Sequence, residues 1–264
     1  MRDLEHITKK AAEIIDLAWL DVFADHLKSQ KSLTIELKHG YEVVSEVDKL
    51  SSEFLIERLE KILPGVPAIS EESPPEAFRR TPERFWLIDP LDGTQNFIRG
   101  IPHATICVSL VEAGIPVIGV TKNIYTGDLY YAWQGGGFYR NRARAYRVPN
   151  SDGKTILSTG FAHDKSLHAQ HLRNLIAVLP HFTDMRRFAS FGMDMCWLCE
   201  GRLDASFEIL APWDFYAGWA MAKQVGLVCH VSGGEAPLDR RRYFVCGDQE
   251  TVDFIRGVCD LTIR

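Results

Sequence analysis

The stretch Phe85-Trp86-Leu87-Ile88-Asp89-Pro90-Leu91-Asp92-Gly93-Thr94-Gln95-Asn96-Phe97 constrains this chain more than any other. Phe85 to Ile88 are apolar and read as a buried strand, which the Asp-Pro step ends abruptly. Pro90 has a fixed φ and no N–H, so the carboxylates of Asp89 and Asp92 are expected on a tight turn. Gly93 lets the backbone approach a ligand, and Thr94 adds a hydroxyl. A short helix from Thr94 to Phe97 would aim its free N–H groups at the same spot. Two anions, N–H donors and a hydroxyl suit a metal ion that holds a phosphate. A bare D-x-x-D more often serves as a capping turn, and it is the full string that argues otherwise.

Composition narrows the field. The 264 residues can bury a substantial core, and 46% hydrophobic with 25% charged residues is ordinary for a globular protein. A net charge of −5 argues against a general nucleic-acid binder. No apolar run is long enough for a transmembrane helix, and Met1 to His6 lack the apolar core of a signal peptide, so a cytoplasmic protein without a membrane partner is expected. The six cysteines, 107, 196, 199, 229, 246 and 259, sit mostly in apolar runs and read as reduced, buried thiols. Cys196-Trp197-Leu198-Cys199 has the C-x-x-C form but lies in a helical pattern with no second pair.

Along the chain, residues 3 to 29 form an amphipathic helix by the spacing of Leu4, Ile7, Ala11, Ile14, Ile15, Ala18, Trp19 and Val22. Leu33 to Val47 reads as a hairpin or loop with strand character, and a second helix runs from Asp48 to Leu63, where Pro64-Gly65 stops it. Asp48 by itself reads as an N-cap. Ala68 to Ser70 is a short strand leading into Glu71 and Glu72, which alone would be a solvated loop. Strands are expected at Ala104–Glu112, Pro116–Asn123 and Leu129–Trp133. Gly135-Gly136-Gly137 looks like a phosphate loop but lacks the following Lys-Ser/Thr that such a loop requires. A second half starts near Val148, with strands at Ile156–Phe161, Met185–Ser190 and Arg202–Phe207 alternating with helices at Ser166–Leu179 and Met193–Gly201, a βαβ-like layered unit. A helix opening at Trp213-Asp214, a strand at Tyr243–Cys246 and a helix at Gln249–Leu261 complete it.

The string W-L-I-D-P-L-D-G-T-Q-N-F resembles the first signature of the inositol monophosphatase superfamily, W-x-I-D-P-x-D-G-T-x-N-F. Four further segments are similar to family motifs: Val44-Ser45-Glu46-Val47-Asp48 to V-T-x-x-D, Ser70-Glu71-Glu72-Ser73 to G-E-E-S, the run from Arg186 to Glu208 to R-x-x-G-S-A-A-L-D-L-C…E, and Trp213-Asp214 to W-D-x-A-A-G. The resemblance implies an α/β (α+β) fold, a five-layered αβαβα sandwich. Residues 1–145 would form a first half of helices on an antiparallel sheet, and 146–264 an α/β half completing the site. It implies a metal site of Glu71, Asp89, Asp92, Asp214 and the Leu91 carbonyl, filled by two or three Mg²⁺ ions with Mn²⁺ as a substitute, as hard oxygen ligands favour. Asp48, Glu72 and Thr94 would act on the attacking water, and Gly93, Thr94, Ser190, Phe191 and Glu208 would touch the substrate, with the Phe191 ring narrowing the pocket. Lys38 falls near the family's lysine loop, and Lys223-Gln224-Val225-Gly226 departs from its E-A-G-G. The implied activity is hydrolysis of a small phosphorylated metabolite, inositol 1-phosphate first, by a homodimer. Histidinol phosphate, fructose bisphosphate and 3′-phosphoadenosine phosphates stay open, as do a catalytically silent binder and, further off, a carboxylate-pair glycosidase.

Overall fold

Strand β4 (Arg84–Asp92) lies inside the molecule and is apolar on both faces, the pattern of a strand covered from two sides. Trp86 and Ile88 point one way and Phe85 and Leu87 the other, as a period of two requires. The computed structural model describes residues 4–29, 34–37, 43–79, 82–162, 164–233, 238 and 240–263; Lys38 lies outside them.

In chain order, α1 (Leu4–Ala18) continues through a π-helical turn (Trp19–Phe23) into α2 (Ala24–Ser29). The hairpin β1 (Ile35–Leu37) and β2 (Val43–Ser45) leads into α3 (Glu46–Ile62), and β3 (Ala68–Ser70) and α4 (Glu76–Arg79) precede β4. After α5 (Thr94–Ile98) come β5 (Thr105–Glu112), β6 (Ile115–Asn123), β7 (Leu129–Trp133), β8 (Gly137–Arg140) and β9 (Ala143–Ala145). Then follow β10 (Ile156–Ser158), α6 (His168–Val178), β11 (Asp184–Arg186), α7 (Phe191–Glu200), β12 (Ala205–Leu210) and α8 (Pro212–Gln224). Strands β13 (Val228–Val231) and β14 (Arg242–Gly247) and helix α9 (Gln249–Val258) complete the order.

Strands β3 to β9 form a seven-stranded sheet in sequence order, antiparallel apart from the β3–β4 pair. The other large sheet has the order β11-β10-β12-β14-β13, with β10, α6 and β11 making a parallel βαβ unit. Helices α1 and α3 cover one face of the first sheet through Ile7, Ile15, Leu55 and Leu59. Between the sheets, Met195 and Cys196 of α7 and Phe215 and Met221 of α8 pack with Phe85, Tyr130 and Phe244. Outside the second sheet, Leu175, Val178, Val252 and Ile255 of α6 and α9 meet Phe207 and Tyr243. The result is the five-layered sandwich. The middle layer is tight: a methyl group at Gly119 of β6 would overlap the Ala217 carbonyl of α8.

Several boundaries differ from the sequence expectation for local reasons. β4 does not end at Asp89-Pro90. Asp89 pairs with Cys107 and Asp92 with Thr105, so Pro90 and Leu91 oppose Ile106 alone in a bulge that tolerates the missing N–H. Helix α3 starts two residues early, because Ser45 is its N-cap and Asp48 sits at the third helical position. The expected strand Met185–Ser190 shrinks to β11, since Ala189 takes a left-handed φ of 60°. Strand β12 falls three residues later than Arg202–Phe207, and α9 ends at Val258 rather than Leu261.

Candidate active site

The bulge in β4 lies near the end of β3 and the starts of α3 and α5; it carries Asp89 and Asp92, with the Leu91 carbonyl toward Thr94 and the Leu91 side chain in the apolar layer under α1 and α3. Asp89 is 2% exposed, and its Oδ1 accepts the Leu91 N–H at 3.1 Å. Loss of water pushes its carboxyl well above the usual range, and the negative charges of Glu71, Asp92, Asp214 and Asp48 push it further. These five acids come from β4, the turn after β3, and the first turns of α3 and α8.

Each neighbour is placed by its own element. The Glu71 N–H donates to the Ile88 carbonyl at 3.0 Å, which extends the β3–β4 pairing and fixes the Glu71-Glu72 turn beside Asp89. Ser70, which stands where the family motif has Gly, is buried and paired with Ser52 at 2.8 Å. Asp214 is the third residue of α8, and its Oδ2 accepts the Ala211 N–H at 2.8 Å, with Arg241 at 3.9 Å. Asp92 Oδ2 accepts from Gly192 N–H at 2.7 Å, Ser190 Oγ at 2.8 Å and Thr105 Oγ1 at 3.0 Å. Burial raises the Asp92 pKa, and these donors, joined by the Phe191 N–H, oppose the rise.

Among the described residues no three acid, imidazole or thiol side chains stand close enough together to hold one metal ion in this arrangement. The donor set still fits a hard divalent cation: it is oxygen only and acidic, and centred on a buried Asp89 carboxyl whose pKa burial first, and then its acidic neighbours, raise well above the usual range.

Thr94 opens α5 behind Gly93, whose φ is +90°. The Thr94 hydroxyl, with one proton to give, lies 2.9 Å from Asp48 Oδ1 and 3.0 Å from the Leu91 carbonyl. Asp48 Oδ2 meanwhile accepts the Ser45 N–H at 2.8 Å and the Ser45 hydroxyl at 2.5 Å. The Ser51 hydroxyl donates to the Pro90 carbonyl at 2.9 Å and ties α3 to the bulge.

On the substrate side, Ser190 is buried as the N-cap of α7. Phe191, expected to narrow the pocket, is 4% exposed, and its ring lies edge-on to Phe244 at 5.6 Å in the middle layer. Glu208 projects from β12 against Gly160, where any side chain would collide with its carboxylate. Burial first, then Asp194 and Asp214, raise the Glu208 pKa well above its normal value.

The residues that sequence reasoning passed over are Thr105, Asn96, His103 and Asp194. Asn96 Nδ2 donates to the carbonyls of Phe188 at 2.7 Å and His103 at 2.9 Å. His103 Nε2 lies 3.5 Å from Asp194 Oδ1, and the Ser158 hydroxyl donates to Asp194 Oδ2 at 2.5 Å. The available signal was polarity, and only at Asp194, a charged residue inside the apolar run Phe191 to Leu198.

Comparison with known proteins identifies the family. The profile of the inositol monophosphatase family matches residues 3–258. The chain belongs to the inositol monophosphatase family. Among curated relatives, an inositol-1-monophosphatase of Rhizobium meliloti is 33% identical over 235 residues, 86% of each chain. A protein named Nus factor SuhB from Xylella fastidiosa is 32% identical over 222 residues, 82% of this chain and 79% of that one. Among solved structures, the inositol monophosphatase of Anabaena superposes with a TM-score of 0.78 at 24% identity, over 96% of this chain and 95% of that one. Extragenic suppressor protein SuhB of Bartonella henselae gives 0.78 at 24% identity over 97% and 98%. These two show the fold. Family membership supports a phosphatase acting on small phosphorylated substrates, and the family is in general metal-dependent.

Proposed function

We propose that this family member is a Mg²⁺-dependent phosphate monoester hydrolase of the inositol-1-monophosphatase kind. The observation that carries the reading is the buried Asp89 carboxyl with Glu71, Asp92, Asp214 and Asp48 arrayed around it. Glu71, Asp89, Asp92, Asp214 and the Leu91 carbonyl would hold two or three Mg²⁺ ions, with Mn²⁺ as a substitute. Bound there, the ions polarise the ester and raise the acidity of water.

The chain's own groups do the rest. The Asp48 and Thr94 pair holds a water in line, its proton passing toward the Thr94 oxygen as the Thr94 proton moves toward Asp48 Oδ1. Glu72 lies on the same turn as Glu71 and would orient the water from the other side. Gly93 lets the phosphate approach the backbone, and Ser190, the Phe191 backbone and Glu208 line the alcohol side. A raised Glu208 pKa suits a carboxyl that donates to or accepts from a sugar hydroxyl.

The reading includes a homodimer, supported by the family resemblance. It also includes a cytoplasmic location, which six free cysteines suit and for which no described helix is long and apolar enough to cross a membrane. Relatives named Nus factor SuhB at 32% identity favour a second reading, a role as such a factor, against which the net charge of −5 argues where bare nucleic acid is the partner.

The test is phosphate release from inositol 1-phosphate, histidinol phosphate, fructose 1,6-bisphosphate and 3′-phosphoadenosine phosphates, with Mg²⁺ and with excess chelator. Chelator-sensitive release, fastest from inositol 1-phosphate, is expected. No release from any of them by folded, Mg²⁺-bound protein would favour the silent binder.

A further inference from the structure

Asp92 is held from a distance. Its Oδ2 takes three donors, two of which, Ser190 Oγ and Gly192 N–H, belong to the segment that enters and opens α7. That loop has no sheet pairing of its own after Arg186 and carries Ala189 at φ 60°, a conformation that a residue with a Cβ adopts only when its surroundings impose it.

The imposing group is Asn96, 8% exposed and two residues into α5 after Thr94. Its amide nitrogen faces three main-chain carbonyls: Phe188 at 2.7 Å, His103 at 2.9 Å and Ala189 at 3.4 Å. Three acceptors fix which end of the side chain is nitrogen, and its two protons satisfy the two nearer carbonyls. The junction is closed on the other side by Gly93, where a methyl group would lie 3.0 Å from the His103 carbonyl, 3.1 Å from that of Ala189 and 3.2 Å from Ser190 Cβ. The His103 ring, between Phe188 at 5.0 Å and Trp197 at 5.1 Å, ties the same two loops through side chains.

We propose that Asn96 is a positioning residue that sets the metal-binding orientation of Asp92, by clamping the Phe188–Gly192 segment so that Ser190 and Gly192 hold Oδ2 and commit Oδ1 to the site. The inference rests on the metal-phosphatase reading above. The residue type follows from the geometry. Leu would leave buried carbonyls unmet, Asp would set an anion against three carbonyl dipoles, and Gln is one methylene too long.

The experiment is titration of the full-length protein with Mn²⁺, the free ion followed by electron paramagnetic resonance, in the wild type and in Asn96→Ala, Asn96→Asp and Phe23→Leu. Phe23 is buried and packs edge-on against Phe97 of the same short helix at 5.8 Å, so its truncation loosens α5 without touching the clamp. Both Asn96 variants are expected to bind Mn²⁺ about 10- to 100-fold more weakly, as loss of a ligand's support does, while Phe23→Leu lowers Tm and keeps wild-type affinity. Asn96→Ser keeps one donor, gives an intermediate loss, and carries the comparison if Asn96→Ala does not fold. Affinities within about twofold of wild type in the Asn96 variants, on the same scale, overturn the inference and leave the phosphatase reading standing. Equal losses in Phe23→Leu at equal Tm overturn it too. A wild type that binds no Mn²⁺ overturns both.

Discussion

Thr94 and Asp48, 46 positions apart in sequence, meet at 2.9 Å where α5 and α3 begin. Asp48 is anchored through its other oxygen to Ser45, so the pair is rigid before any substrate arrives. Thr94→Val keeps the shape of the side chain and removes the hydroxyl. We expect kcat to fall by about 10²- to 10⁴-fold with little change in Tm, and Asp48→Asn to do the same. Steady-state phosphate release at saturating Mg²⁺ decides it; a Thr94→Val enzyme of normal kcat would remove Thr94 from the proton path.

Asp89→Asn makes a sharper test of the carboxylate cluster. The substitution is isosteric and removes a buried anion that burial and four like charges disfavour. The metal-free protein should therefore melt no lower than the wild type, while turnover and the rise in Tm on adding Mg²⁺ both vanish. Calorimetry with and without Mg²⁺ reads both effects. Retained Mg²⁺ stabilisation in Asp89→Asn would take Asp89 out of the metal site.

Gly119 sets how deeply α8, and with it Asp214, sits on the first sheet. Because a methyl there overlaps the Ala217 carbonyl, Gly119→Ala forces backbone to move. Overpacking of this kind costs about 1–3 kcal/mol. We expect the unfolding free energy from chemical denaturation to fall by that amount, with a lower midpoint and a weaker response to Mg²⁺; an unchanged midpoint would mean that α8 has room to retreat.

His171 governs part of the acid limb of stability. It is buried among Phe161, Phe207 and Tyr243, and burial lowers its pKa from 6.5 to about 4. Between those values the unfolded chain binds a proton that the folded chain refuses, so its contribution is complete above pH 6.5 and is lost as the pH falls toward 4. The loss amounts to about 3 kcal/mol. His171→Gln should flatten the fall in unfolding free energy over that window, relative to the wild type; parallel pH profiles would rule the histidine out.

Much of this architecture is legible in the residues, and the illegible parts have physical causes. The run from Phe85 to Phe97 announces a buried strand, a turn and a short helix, because apolar continuity, Pro90 and Gly93 act locally. The acids proposed for the site could be named because Asp48, Glu71 and Asp214 each lie in a separate motif and Asp89 and Asp92 share one. The β4 bulge could not be read, since it depends on the register with β5. The π-helical turn at Trp19–Phe23 is likewise hidden, being coupled to the indole N–H of Trp19 reaching the Ile124 carbonyl at 2.7 Å. Strand β13 is half-buried along its length at the sheet edge and shows no alternation. Ala189 adopts a glycine-like conformation with no glycine to mark it, and the inward turn of the Phe191 ring depends on Phe244, far along the chain.

The order of strands in the second sheet has a consequence for how activity appears during synthesis. β12, which ends just before Asp214, is paired on one side with β14, and β14 is completed only at Gly247. A growing chain can assemble the seven-stranded sheet once Ala145 has emerged, yet Asp92 then lacks Ser190 and Gly192, and Asp214 has not been made. The nascent polypeptide thus carries four of the five clustered acids with neither Asp214 nor the support of Ser190 and Gly192, and the proposed site is complete only near the end of translation.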